Sequence, residues 1–159
     1  MADAHNPTQS AAADGDHVVA STTCGHCKAY HDKVIPDLKA KYIDTGKAKL
    51  VWAVMPTPPA AVSIAGAALA RCAGEDKYFA VLDDLFDQQE ALVDASRNPW
   101  QLQKGFRDIG AKHDLTPDQV GTCMDDKNID ALTRKGVKEA PAFITGTPTL
   151  LVDGKLVED

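Results

Sequence analysis

The order of signals along the chain, strand, helix, strand, several helices and then a hairpin, predicts an α/β fold. Three observations carry this. A short β-prone run, His17-Val18-Val19-Ala20, and an apolar run of strand length, Ala48 to Met55, flank a helical stretch. The middle of the chain has helical periodicity and no strand signal. Near the end, Thr149-Leu150-Leu151-Val152, Asp153-Gly154 and Lys155-Leu156-Val157 read as strand, hairpin turn and returning strand.

Each element has its own local reason. Tyr30, Val34, Leu38 and Tyr42 recur at four-residue spacing, which predicts one apolar helix face. Pro36 falls within this stretch and is expected to kink it, and Gly46 to stop it. The run Ala48 to Met55 ends at Pro56, Pro58 and Pro59. Being apolar on both sides, it is expected at the centre of a sheet covered on both faces. Ala60 to Ala73 is an Ala-rich helix ending near Gly74. Lys77 to Leu92 is amphipathic, with Tyr78, Phe79, Leu82, Leu85 and Phe86 on one stripe. Asn98-Pro99 opens the next helix, with Trp100, Leu102, Phe106 and Ile109 as its apolar side. Thr116-Pro117-Asp118 is a further helix start, with Thr116 as cap. Helical character resumes after Lys127 and runs to about Gly136.

Composition narrows the function classes. At 159 residues, 44% hydrophobic and 25% charged, the chain is long enough for one domain with a sizeable core. A net charge of −6 and the lack of any basic stripe disfavour nucleic acid as a partner. No apolar run approaches the ~18 to 20 residues of a membrane span. Residues 1–16 are polar and Ala-rich, without a basic segment followed by an apolar one. They read as a flexible tail and not as a secretory signal. A signal already removed and a cytosolic location both remain open.

The chemistry concentrates at Cys24-Gly25-His26-Cys27, placed after a strand and at a helix start. Such a site suits thiol chemistry, because the thiolate is the nucleophile and helix N-terminal amides stabilise negative charge. Cys24 is expected to be the exposed nucleophile. Cys27, about one turn on, would resolve a mixed disulfide, and His26 would favour the Cys24 thiolate. A zinc knuckle is the bland alternative, with His17, His26 and His31 nearby. It would need four ligands, three of them crowded onto a single helix turn. A second motif is Gly146-Thr147-Pro148-Thr149. A cis Thr147-Pro148 bond would let Thr147 offer main-chain groups to an extended peptide, whereas a trans proline would merely lead into an edge strand.

Together these segments resemble the DsbA-like branch of the thioredoxin superfamily. The resemblance rests on Ser21-Thr22-Thr23-Cys24-Gly25-His26-Cys27 and Gly146-Thr147-Pro148-Thr149. Pro56-Thr57-Pro58-Pro59, Ala70-Arg71-Cys72-Ala73-Gly74 and Lys77-Tyr78-Phe79 are similar to a bacterial subgroup. It implies a thioredoxin-like fold with an inserted helical subdomain and, in this chain, no C-terminal helix. The corresponding division is a tail at 1–16, a first thioredoxin-like part at 17–59, a helical insert at 60–140, and a second part at 141–159 with the cis-proline loop. It further implies a thiol-disulfide oxidoreductase that donates disulfides to reduced or unfolded proteins in the periplasm, reoxidised by a membrane partner of the DsbB type. Isomerase or reductase activity is the alternative within the class. From another class, the alternative is a redox-inactive peptide- or zinc-binding module. Cys24, Cys27 and His26 would be catalytic, and Gly25, Thr147 and Pro148 would contact substrate. No cofactor or metal is implied beyond the Cys24–Cys27 disulfide itself. Many relatives place a carboxylate under the active site, where this chain has Val18, Val19, Ala53 and Val54.

The remaining residues have plainer expectations. Cys72 and Cys123 could be a structural disulfide or buried thiols, and the resemblance favours the disulfide. His31 is expected at the surface, His113 shows no partner, and Asp83-Asp84 and Asp125-Asp126 read as solvated helix faces. Trp100, Phe79, Phe86 and Phe106 are expected in the core.

Overall fold

The structure is a computed structural model and describes residues 16–46, 50–131, 146–152 and 155–157. All but Asp16 of the expected tail, the segment 132–145 with the expected helix end near Gly136, and the Asp153-Gly154 turn lie outside them.

Among the described residues, four strands form one sheet in the order β2-β1-β3-β4. They are β1 (Asp16–Ala20), β2 (Leu50–Val54), β3 (Thr149–Val152) and β4 (Lys155–Val157). β1 runs parallel to β2, in register from Asp16↔Leu50 to Ala20↔Val54. It runs antiparallel to β3, with His17 opposite Leu151 and Val19 opposite Thr149. β3 and β4 pair antiparallel, as the hairpin signal predicted. The expectation of a central Ala48–Met55 strand is corrected. Among the described strands β2 is an edge, and β1 holds an interior position with Val18, Val19 and Ala20 wholly buried. Apolar content marks a covered strand, but rank in the sheet is set by long-range pairing.

The first crossover consists of α1 (Gly25–Lys33), α2 (Ile35–Leu38) and a π-turn at Lys39–Ile43. Pro36 lies in the first turn of α2 and has no N–H for the helix ladder. The helix accordingly breaks at Val34 and restarts. The expected apolar face is corrected too: Val34 and Tyr42 are 39% and 47% exposed. The buried face runs through Cys27, His31 and Ile35, with Tyr30 and Leu38 at its margin. Gly46 ends the segment at φ +75°, where a side chain would be strained.

Between β2 and β3 the described secondary-structure elements are all helices. α3 (Ala60–Cys72) is buried from Ala65 to Ala70 without a gap, and every residue of that run but Leu69 is small. This lets it approach closely, and a Cβ on Gly66 would stand 3.2 Å from Thr22 Oγ1 and 3.4 Å from Leu85 Cδ2. The stretch expected as one helix from Lys77 to Leu92 is divided into a 3₁₀ turn at Glu75–Lys77, α4 (Tyr78–Asp87) and α5 (Gln89–Asp94). α6 (Pro99–Lys112) starts at Asn98, whose side chain accepts from the N–H groups of Trp100 and Gln101 at 3.1 and 3.3 Å. α7 (Pro117–Cys123) starts with a capping box between Thr116 and Gln119. Residues 126–131 are again helical. Cys72 and Cys123 are joined by a disulfide, Cα–Cα 5.8 Å, tying the end of α3 to that of α7.

Three further expectations are corrected. Trp100 is 81% exposed: it shares its side of α6 with Lys104, Arg107 and Asp108, while Leu102, Phe106 and Ile109 turn inward. His31 is buried, its ring stacked on Phe86 with centroids 4.5 Å apart and its Nε2 2.6 Å from Asp83 Oδ1. His113 Nε2 lies 2.6 Å from Asp84 Oδ2, so both carboxylates of the acidic pair hold histidines. Asp83 thereby links α4 to α1, and Asp84 links α4 to the end of α6. Period alone shows which helix face is apolar, but not which neighbour brings a polar partner to it.

Phe86 is wholly buried and is the ring through which α4 meets the helix that carries the cysteines. Phe86→Ala is expected to cost about 3–5 kcal/mol, from lost burial and the cavity left behind. The measurement is urea unfolding of the oxidised protein. A loss below about 1 kcal/mol would mean that α4 does not dock through this ring.

Candidate active site

The segment Ser21 to Cys24 leads from β1 into α1 as a tight turn, closed by the Cys24 N–H donating to the Ser21 carbonyl at 3.2 Å. Cys24 is the N-cap of α1, with extended backbone at φ −89° and ψ 119°. Its Sγ accepts from the Cys27 N–H at 3.3 Å. A sulfur thus takes the place where a serine or aspartate oxygen usually caps, at the positive end of the helix. Cys24 is half-buried, whereas Gly25 and His26 beside it are exposed. A Cβ built on Gly25 would meet nothing within 4 Å, so the outer face of the turn is open. Cys27 lies beneath, fully buried, with its Sγ receiving the Ser21 N–H at 3.5 Å. Both are free thiols in this structure.

The far end of the chain completes the site. The Thr147-Pro148 peptide is cis, and the Cys24 thiol donates to the Thr147 carbonyl at 3.7 Å. Thr147 and Pro148, both half-buried, lie just before β3, the antiparallel neighbour of β1. Sheet pairing therefore brings residues more than a hundred positions apart onto one sulfur.

The two thiols are driven in opposite directions. Partial burial opposes ionisation of Cys24, but hydrogen bonds from Cys27, from the Thr147 side chain and from the amides of Cys27 and His26 outweigh it, and its pKa is lowered. Cys27 is pushed up to about 12, first by burial and then by its hydrogen bond to Cys24. His26 acts on Cys24 through its main-chain N–H, with its ring at the surface. The arrangement offers an accessible thiol that ionises more readily than usual, above a buried partner that holds its proton.

Several contacts around the turn join residues that no local sequence signal connects. The hydroxyls of Ser21, Thr23 and Thr57 form a closed triangle, with Thr57 Oγ1 2.7 Å from both others and Ser21 3.2 Å from Thr23. Thr23 Oγ1 also donates to the Thr57 carbonyl at 3.0 Å. Buried Ser63 of α3 donates to the same carbonyl at 3.1 Å, next to the cis Pro58-Pro59 peptide. From the insert, Gln89 Nε2 donates to the carbonyls of Thr22 and Cys24, each at 2.9 Å. One signal pointed to Gln89: it continues the Leu82, Leu85, Phe86 stripe at helical spacing, a polar residue on a buried face. Among the described residues no group of three or more His, Cys, Asp or Glu could hold a metal ion.

Fold and site together define a thioredoxin-fold protein with a dithiol at a helix N-terminus facing a cis-proline loop. The comparisons agree. The family described as Thioredoxin matches residues 9–159. Alpha-DsbA1 of Wolbachia pipientis superposes with a TM-score of 0.70 at 27% identity, over 91% of this chain and 70% of that one. The DsbA of Chlamydia trachomatis superposes with a TM-score of 0.70 over 90% of this chain and 77% of that one; at 17% identity this speaks for the fold alone. A Rickettsia bellii protein named "Putative protein-disulfide oxidoreductase" is 32% identical over 146 residues, 87% of this chain and 52% of the relative. The chain spans about half the length of the curated relatives it matches. It belongs to the thioredoxin family, on its DsbA-like branch.

Proposed function

We propose that the chain is a thiol-disulfide oxidoreductase acting as a disulfide donor to reduced proteins. The observation that carries this is the capping position of Cys24: an accessible sulfur with lowered pKa, directly above a buried Cys27 pushed up to about 12. Starting from the oxidised pair, a substrate thiolate attacks Cys24 Sγ. The Cys24–Cys27 bond breaks, and Cys27 leaves and takes up a proton. The second substrate thiolate then attacks the substrate sulfur of the mixed disulfide, and Cys24 departs as thiolate. The substrate dithiol loses two electrons, and the protein pair gains them. A low-pKa leaving group speeds the second step, and a stabilised Cys24 thiolate favours the reduced pair, which makes the disulfide oxidising.

In this reading Gly25, Thr147 and Pro148 receive the substrate backbone, because they border the open face around Cys24. His26 is a catalytic-site residue through its N–H. In the helical insert, taken as 60–140 between thioredoxin-like parts at 17–59 and 141–159, Gly66 and Gln89 border one side of the turn. The likeness to DsbA proteins favours a periplasmic location and reoxidation by a membrane partner of the DsbB type. No described helix is long and apolar enough to cross a membrane.

The test is the reduction potential of the Cys24–Cys27 pair, measured by equilibration with glutathione. An oxidase is expected well above the roughly −270 mV of a reducing thioredoxin. A value at or below that would replace the donor reading with a reductase.

A further inference from the structure

We propose that Gln89 is a positioning residue for the redox turn, holding Cys24 in its capping geometry from the helical insert through the Thr22 and Cys24 carbonyls. The proposal rests on the reading of Cys24 as the nucleophile.

The contact is unusual in what it joins. Gln89 is the first residue of α5, where the helix expected to continue from α4 instead breaks at Gln88. Its carboxamide crosses to the other part of the molecule and places both 2.9 Å hydrogen bonds on main-chain carbonyls. Those carbonyls belong to the Thr22–Thr23 and Cys24–Gly25 peptides, one on each side of the Thr23–Cys24 peptide. In a trans peptide the C=O and N–H point opposite ways. Drawing both oxygens toward Gln89 fixes the planes around Cys24 and turns the following N–H groups away from the insert. The backbone angles of Cys24 set the 3.3 Å contact between its Sγ and the Cys27 N–H. The surroundings supply the stiffness such a clamp needs. The face of α4 that precedes Gln89 is packed through Leu85 and Phe86, and Gly66 of α3 allows close approach to both Thr22 and Leu85. The donated N–H groups also bring partial positive charge to the turn, with the same sign of effect on a thiolate.

The experiment titrates the Cys24 thiolate by its absorbance near 240 nm in the reduced full chain, for wild type, Gln89→Ala, Gln89→Glu and Gln89→Lys. Gln89→Ala loses both donors and is expected to leave three- to tenfold less thiolate at a pH below the wild-type pKa. The equilibrium constant for oxidising glutathione should fall by the same factor. Gln89→Glu keeps the size but sets carboxylate oxygens against two carbonyls and adds charge beside the sulfur, so its loss should be the larger. Gln89→Lys restores a donor and should titrate at or below wild type. A purely structural role would lower the melting temperature of the variants while their thiolates titrate together, within about 0.2 of a pKa unit; that result overturns the proposal. The titration does not depend on the direction of electron flow, so failure here and failure of the oxidase reading are separable.

Discussion

Cys24→Ser is expected to abolish thiol-disulfide exchange, a fall of roughly a thousandfold or more, the scale on which removal of a nucleophile acts. The geometry gives the two cysteines different roles, so the paired variant should fail differently. In Cys27→Ser the capping sulfur, its main-chain partner and its access to solvent all remain. Cys24 should still enter a mixed disulfide, but nothing buried beneath it can attack to release the bound partner. With a test peptide whose two cysteines are joined in a disulfide, and reduced glutathione as the electron source, Cys24→Ser should show neither turnover nor adduct. Cys27→Ser should show slow turnover with a covalent adduct visible by non-reducing mass spectrometry. Adduct formation by Cys24→Ser, and none by Cys27→Ser, would reverse the assignment and undo the account of the site built on the helix N-terminus.

Much of this site was legible before the structure because its signals are local. A pair of cysteines one helical turn apart needs only a strand before it and a helix after it, and both flanks have short-range signatures. The same holds for the caps Asn98 and Thr116 and for the stop at Gly46. What the sequence hid depends on partners distant along the chain. His31 follows Cys27 by four residues on the same helix, yet its burial comes from Phe86 and its polar partner from Asp83. A surface reading was reasonable for a histidine judged only by its neighbours. Trp100 erred in the opposite direction: its apolar character suggested core, but the phase of α6, fixed by Leu102, Phe106 and Ile109, turns it outward. The edge position of β2 followed from pairing, which no apolar run encodes. The hydroxyl triangle joins Ser21 and Thr23 to Thr57 across more than thirty residues. Both segments belonged to motifs already singled out, but nothing in either motif showed that they touch.

The opposed thiols also fix how the reduced protein responds to pH. At neutral pH, iodoacetamide is expected to label Cys24 alone. With Cys24 below the ordinary thiol value of 9.0 and Cys27 near 12, their thiolate fractions differ on the order of a thousandfold or more, and burial separates the rates further. Each shift is also a contribution to stability. The Cys24 pKa is depressed by folding, so its contribution is full above the ordinary thiol range and is lost as pH falls through its folded value. The Cys27 pKa is raised, so its contribution is full below that range and is lost as pH rises from about 9 toward about 12. The oxidised protein has neither term. The melting temperature of the reduced form relative to the oxidised form should therefore climb with pH up to about 9 and decline beyond it. Carboxylates and histidines titrate in both forms, so the difference between forms isolates the two sulfurs. A difference that stayed flat across this range, or equal labelling of both cysteines at neutral pH, would show that the helix N-terminus and the burial of Cys27 do not divide the pair as the geometry requires.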